Sequence, residues 1–133
     1  MLGATFPYSV VVVDADHGAR RRAVDGLTAQ GLGANGAATG LAGVEQALQE
    51  ACDAVVVALP LPDLAFGQLL AMLRAVGEIA VVAQAAGRGE VAALLDLGAD
   101  DAVEGRPSPS ELATRVRAVL RRTRPGGGAA PIR

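Results

Sequence analysis

The chain has 133 residues and a formal net charge of −2, with 51 % apolar but only 2 % aromatic residues. That length fits one domain with a genuine core built from valine, leucine, isoleucine and alanine rather than from Phe6, Tyr8 and Phe66, and the charge argues against broad electrostatic attachment to nucleic acid by this segment alone. The single Cys52 excludes an internal disulfide, the N-terminus lacks signal-peptide character, and no apolar run reaches the ~18 residues of a membrane span, so a soluble cytoplasmic protein without a membrane partner is expected.

Apolar runs alternate with helical patterns along the chain. Strands are expected at 8–14, 32–37, 54–58, 79–83 and 102–104, and helices at 17–30, 41–50, 63–76, 90–97 and 110–122. Val10 to Val13 and Val55 to Val57 read as strands buried on both faces, because β-branched residues continue without polar alternation. Asp16 is placed to cap the first helix, with His17 facing solvent and Arg20-Arg21-Arg22 forming a solvated face. Gly31 is placed to end that helix. In the last helix Leu112, Val116, Val119 and Leu120 share one face, with Pro109 near its start and Glu111, Arg115 and Arg122 outside it. Five strands alternating with five helices define an α/β fold, a doubly wound parallel sheet. Residues 123–133 are rich in Gly and Pro and read as a flexible linker.

Gly31-Leu32-Gly33-Ala34-Asn35-Gly36 matches the phosphate-cradling pattern G-x-G-x-x-G. It follows a helix and leads into a strand, whereas the dinucleotide fingerprint must follow the first strand and open a helix. With 17 glycines in the chain, a chance match is the simpler reading.

Three segments carry a resemblance: Val-Val-Val-Asp14-Ala-Asp16 near the start, Leu59-Pro60-Leu61-Pro62-Asp63 after the third strand, and Leu97-Gly98-Ala99-Asp100-Asp101 before the fifth. Together they resemble response-regulator receivers, from about residue 8 to residue 122. The closing segment from Gly98 through Ser108-Pro109-Ser110-Glu111-Leu112 to Arg121-Arg122 is similar in particular to the OmpR/PhoB-type regulators. The resemblance implies a flavodoxin-like (βα)5 receiver of strand order 2-1-3-4-5 over residues 1–122, and a winged-helix DNA-binding domain beyond the linker.

It also implies five active-site positions, most of which depart from the pattern here. The first acid matches Asp14, but its metal-binding partner is Ala15, with Asp16 one position late. The acceptor aspartate falls on Ala58, the strand-four hydroxyl on Gln84, and the lysine before a cis-proline on Gly105, with Arg106 in the proline place. Magnesium needs several oxygen ligands in an octahedron, which Asp14 alone does not supply, so no metal or other cofactor is expected. All 12 basic residues are arginine, so no lysine elsewhere can substitute. Asp53 lies at the wrong end of its strand for an acceptor, and Asp63 reads as an exposed loop carboxylate. Asp14 itself has two readings, a residual ligand or a group that caps loop N–H donors.

The resemblance further implies a homodimer through the fourth helix, fifth strand and fifth helix. Asp100, Asp101, Arg115 and Arg122 match ion-pairing positions, and Glu111 matches an acid whose basic partner is replaced by Val91. Glu111 and Arg115 can equally pair locally at i and i+4. The sensor aromatic of strand five is Ala102. The expected function is a non-catalytic, phosphorylation-independent receiver that controls transcription by dimerising. The alternatives are a receiver whose vacated acidic pocket, with Ala15, Ala58 and Gly105 leaving space beside Asp14 and Gln84, binds a small ligand or partner protein, an enzyme on the same fold, or a phosphoreceiver using a displaced aspartate.

Overall fold

A computed structural model describes residues 6–123. The elements alternate as expected: β1 (Ser9–Val13), α1 (His17–Ala29), β2 (Gly33–Ala37), α2 (Gly40–Glu50), β3 (Ala54–Ala58), α3 (Phe66–Val76), β4 (Ala80–Ala85), α4 (Val91–Leu97), β5 (Asp101–Glu104) and α5 (Pro109–Thr123). The five strands form one parallel sheet in the order β2-β1-β3-β4-β5. The linker expected after residue 122 lies outside the described residues except for Thr123, which continues α5.

The sheet has helices on both faces and therefore two cores. Val11, Val13, Val55, Val57, Val81 and Ala83 pack with Leu69, Leu70, Leu73 and Leu94 on the side of α2, α3 and α4. Val10, Val12, Ala54, Val56, Ala80 and Val82 pack with Leu27, Leu112, Val116 and Leu120 on the side of α1 and α5. Successive side chains on a strand point to opposite faces. Asp14, Ala58 and Gln84 each lie two residues beyond a member of the second set, so the strand period carries all three to the α1/α5 side of the sheet's carboxyl edge.

Local chemistry explains the helix ends. Asp16 accepts the Ala19 N–H at 2.9 Å and starts α1, as its placement predicted, and this hydrogen bond is the main reason its carboxyl pKa is lowered. Gly31 follows α1 with φ +91°, a conformation that favours glycine over any residue with a Cβ. The third helix begins at Phe66 rather than at residue 63 because Asp63 is engaged elsewhere. Its carboxylate accepts from the Gly40 N–H at 2.8 Å and the Leu41 N–H at 2.9 Å, joining the loop after β3 to the start of α2. At the start of α5, Ser108 Oγ accepts the Glu111 N–H at 3.1 Å and its carbonyl accepts from Leu112.

Two helices meet unusually closely across the second core. A Cβ added at Gly26 of α1 would overlap the ring of Pro109, the first residue of α5, whereas one at Gly67 of α3 would meet nothing within 4 Å. A proline ring is rigid, so relief at Gly26 requires the helices to separate. Gly26→Ala is expected to destabilise by about 1–3 kcal/mol despite better helix propensity, whereas Gly67→Ala should stabilise by about 0.5–1 kcal/mol; urea unfolding of the two variants checks both signs. The Leu41 N–H bond is the main cause that lowers the Asp63 pKa. A folded-state pKa below the unfolded value adds stability above about pH 4 that is lost as pH falls through the lower folded value. Asp63→Asn should therefore flatten the acid limb of the stability curve, read as the melting temperature from pH 6 downwards.

Candidate functional site

The carboxyl edge of the sheet gathers the residues singled out from the sequence. Ala58 ends β3 and Gln84 is its register partner on β4, so a methyl group and a carboxamide stand side by side at this edge. Ala58 and Gln84 are each only 6 % exposed. Ala15 is exposed in the loop after β1, and Asp16 serves α1 rather than this edge. Gly105 follows β5 with φ +73° and donates its N–H to the Ala85 carbonyl at 3.0 Å.

Asp14 is 3 % exposed and fully engaged. Its Oδ1 accepts the Asp16 N–H at 2.9 Å and a hydrogen bond from Arg106 Nη2 at 3.2 Å, while Oδ2 forms an ion pair with Arg106 Nη1. The Asp14 carbonyl in turn accepts from Arg20 Nη1 at 2.8 Å. Both sequence readings of Asp14 are thereby sharpened: it does accept a loop N–H, and its remaining acceptor capacity goes to a cation of the chain itself. Hydrogen bonding to Asp14 is also the main cause that raises the Arg106 pKa, which keeps the guanidinium charged.

Arg106, one position after the expected lysine, enters the space beside Asp14 sideways and fills part of it. Cavities of about 310 and 210 Å³ remain along Gln84, the first bordered by Asp14 and the second by Ala58 and Gly105. Sequence reasoning placed Arg106 in the proline position but gave it no role. The available signal was an arginine directly after Gly105 at the end of β5, in a chain that uses no lysine. The solvated reading of the arginine run also needs amendment, since Arg21 and Arg22 are exposed but Arg20 is half-buried against the β1 loop. His17 is exposed, as expected.

A magnesium ion does not fit here. Both oxygens of Asp14 are taken, and among the described residues no group of three His, Cys, Asp or Glu side chains could hold a metal. The other acids are committed: Asp53 accepts the Ser9 N–H at 2.8 Å at the amino edge of the sheet, and Asp63 holds α2.

The charges on the β5/α5 face pair within the chain. Arg115 reaches Asp101 at 3.1 Å and Glu111 at 3.1 Å. Asp100 accepts the Val81 N–H at 2.7 Å and lies 3.3 Å from Arg74, and its carbonyl accepts from Arg122 at 2.9 Å. Asp101, Glu111 and Arg115 thus form one cluster, while Asp100 and Arg122 form a second with Arg74.

A doubly wound sheet of this order, with a buried carboxylate ending its first strand, has the fold of response-regulator receiver domains. The chain is 32 % identical over 126 residues to the response regulator MprA of Mycolicibacterium vanbaalenii, matching 92 % of this chain and 54 % of that one. It is 30 % identical, over 92 % of this chain and 55 % of the other, to MprA of Mycobacterium leprae. The chain therefore spans about half the length of the curated relatives it matches. No protein-family model matches it. The Francisella response regulator 1452 receiver domain superposes with a TM-score of 0.78 at 23 % identity, covering 88 % of this chain and 99 % of that structure, a likeness of fold.

Removing Arg106 would leave a buried carboxylate without its cation. A fully buried pair broken in this way costs about 3–5 kcal/mol. The Arg106 side chain is 50 % exposed, so Arg106→Leu is expected to cost about 1–3 kcal/mol once solvent screening is allowed for. Adding Asp14→Asn, which keeps an acceptor for the Asp16 N–H, should recover much of that loss; a double-mutant cycle in urea measures the coupling.

Proposed function

We propose that this receiver works without phosphoryl transfer, as the non-catalytic input module of a transcription regulator. The observation that carries the reading is the Ala58 methyl at the end of β3, in contact register with Gln84. A methyl group has no nucleophilic atom. Phosphoryl transfer also depends on neutralising the developing negative charge, chiefly by a metal ion, and Arg106 has already consumed the carboxylate that would help hold one.

In this reading the output is a homodimer through α4, β5 and α5, with DNA contacted by a winged-helix domain beyond residue 133, in keeping with relatives about twice as long as the chain. Two features support the surface. The Asp101, Glu111 and Arg115 cluster lies there with side chains partly exposed, so exchanging partners within a chain for partners across an interface has a small energetic cost. The helix α4 also leaves Leu95 and Leu97 exposed, apolar area that association would cover.

Acetyl phosphate with magnesium should leave the intact mass unchanged, and beryllofluoride should leave the sedimentation profile unchanged. Appearance of a phosphoryl adduct would overturn the reading. Arg115→Glu places like charges beside Asp101 and Glu111, and self-association should weaken by roughly tenfold or more. Undiminished association of a folded Arg115→Glu chain would remove this interface from consideration.

A further inference from the structure

Gln84 is the polar residue of the sheet edge for which the fold provides no partner. It is 6 % exposed, and among the described residues nothing stands within hydrogen-bond distance of its carboxamide. Its polar atoms are nevertheless not sealed in protein, because the side chain lines a cavity of about 310 Å³ between α1 and the start of α5. A carboxamide without a partner in the chain that faces open space is available to whatever enters that space.

The walls define what would enter. The polar residues lining the cavity are Arg22, Arg106, Gln84, Ser108 and Asp14. Arg22 has no carboxylate within ion-pair distance among the described residues, and half of Arg106 remains exposed after its contact with Asp14. Of the acids, Asp14 lines the cavity and is engaged by Arg106 and the Asp16 N–H, while Asp16 accepts the Ala19 N–H and is stabilised by the charges of Arg106 and Arg22. The site therefore has surplus donors and few free acceptors, which calls for an acceptor-rich head group. The remaining wall is apolar, made of Ala19, Ala23, Pro107, Pro109 and Leu112, which calls for a hydrocarbon body. Free inorganic phosphate satisfies the first requirement but not the second.

We infer that this cavity is a binding site for a small organic carboxylate with an apolar body, its carboxylate held by Arg22, Arg106 and Gln84 and its body lying against α1 and the loop that opens α5. The volume lies at the lower end of the range for small-molecule sites. The inference rests on the preceding reading in one respect, that Arg106 and Gln84 are not engaged with phosphate chemistry. It places the ligand on the α1/α5 side, where the apolar wall is, although Gln84 and Arg106 also border the smaller space of about 210 Å³ that Ala58 and Gly105 line.

The test is a titration of the 133-residue chain with benzoate, followed by NMR at the Gln84 carboxamide and the Arg106 Nε–H. Benzyl alcohol serves as the neutral counterpart and inorganic phosphate as the bodiless anion. Benzoate should give saturable shifts with half-saturation at or below about 10 mM, as expected for about nine heavy atoms, and the other two probes should bind at least about tenfold more weakly. Gln84→Leu and Arg22→Ala, each checked for a native spectrum, should both weaken benzoate severalfold. Absence of saturation, equal binding of phosphate or benzyl alcohol, or undiminished binding in both folded variants would overturn the site. None of these results bears on whether acetyl phosphate modifies the chain, so the two readings fail separately.

Discussion

A carboxylate at the carboxyl edge of a parallel sheet is surrounded by apolar strands and has to be compensated there. In this molecule the compensation comes from Arg106, and the organisation of the edge follows from that pairing. Gly105, with its positive φ, turns the chain out of β5 so that the next residue can reach back to Asp14. The same turn leads through Pro107 and Ser108 into α5, whose first residue rests on Gly26 of α1. One ion pair thus ties β1 to the loop that sets the position of α5, across a sheet in which β1 and β5 are separated by two strands.

The balance of that pair is set by unequal burial. Asp14 is nearly inaccessible while the Arg106 side chain is half exposed, so most of the desolvation falls on the carboxylate and the guanidinium retains water. The pair fixes geometry at modest energetic cost. It also sets the electrostatic character of the edge, where the buried Asp14 is satisfied by a cation of the chain itself.

What remains open at the edge is the amide of Gln84. It lies between two cavities of different shape, one beside Ala58 and Gly105 and a larger one toward α1 and α5. The larger one combines guanidinium donors with hydrocarbon walls, a pairing suited to amphiphilic anions. Because Arg106 belongs both to that cavity and to the link between β1 and α5, an occupant would act on a residue whose position bears on α5, and α5 carries the Arg115 cluster.

Much of this was legible in the chain before folding. The continuous valine runs of β1 and β3 identify strands buried on both faces, the Leu112, Val116, Val119 and Leu120 stripe identifies α5, and Asp16 and Gly31 mark the two ends of α1; these features depend on local periodicity and backbone preference, which a sequence displays directly. That β3 ends on a methyl group, Ala58, is equally plain, since it is a matter of residue identity at a strand end. Only the tertiary structure decided that Arg106 pairs with Asp14, that Arg20 leaves the solvated run to bind the β1 loop, that Asp63 holds α2 and so delays α3, and that Gln84 borders two cavities. Each of these joins residues far apart in sequence through long side chains whose direction is settled by packing, and no periodicity along one segment encodes where an arginine on another will reach.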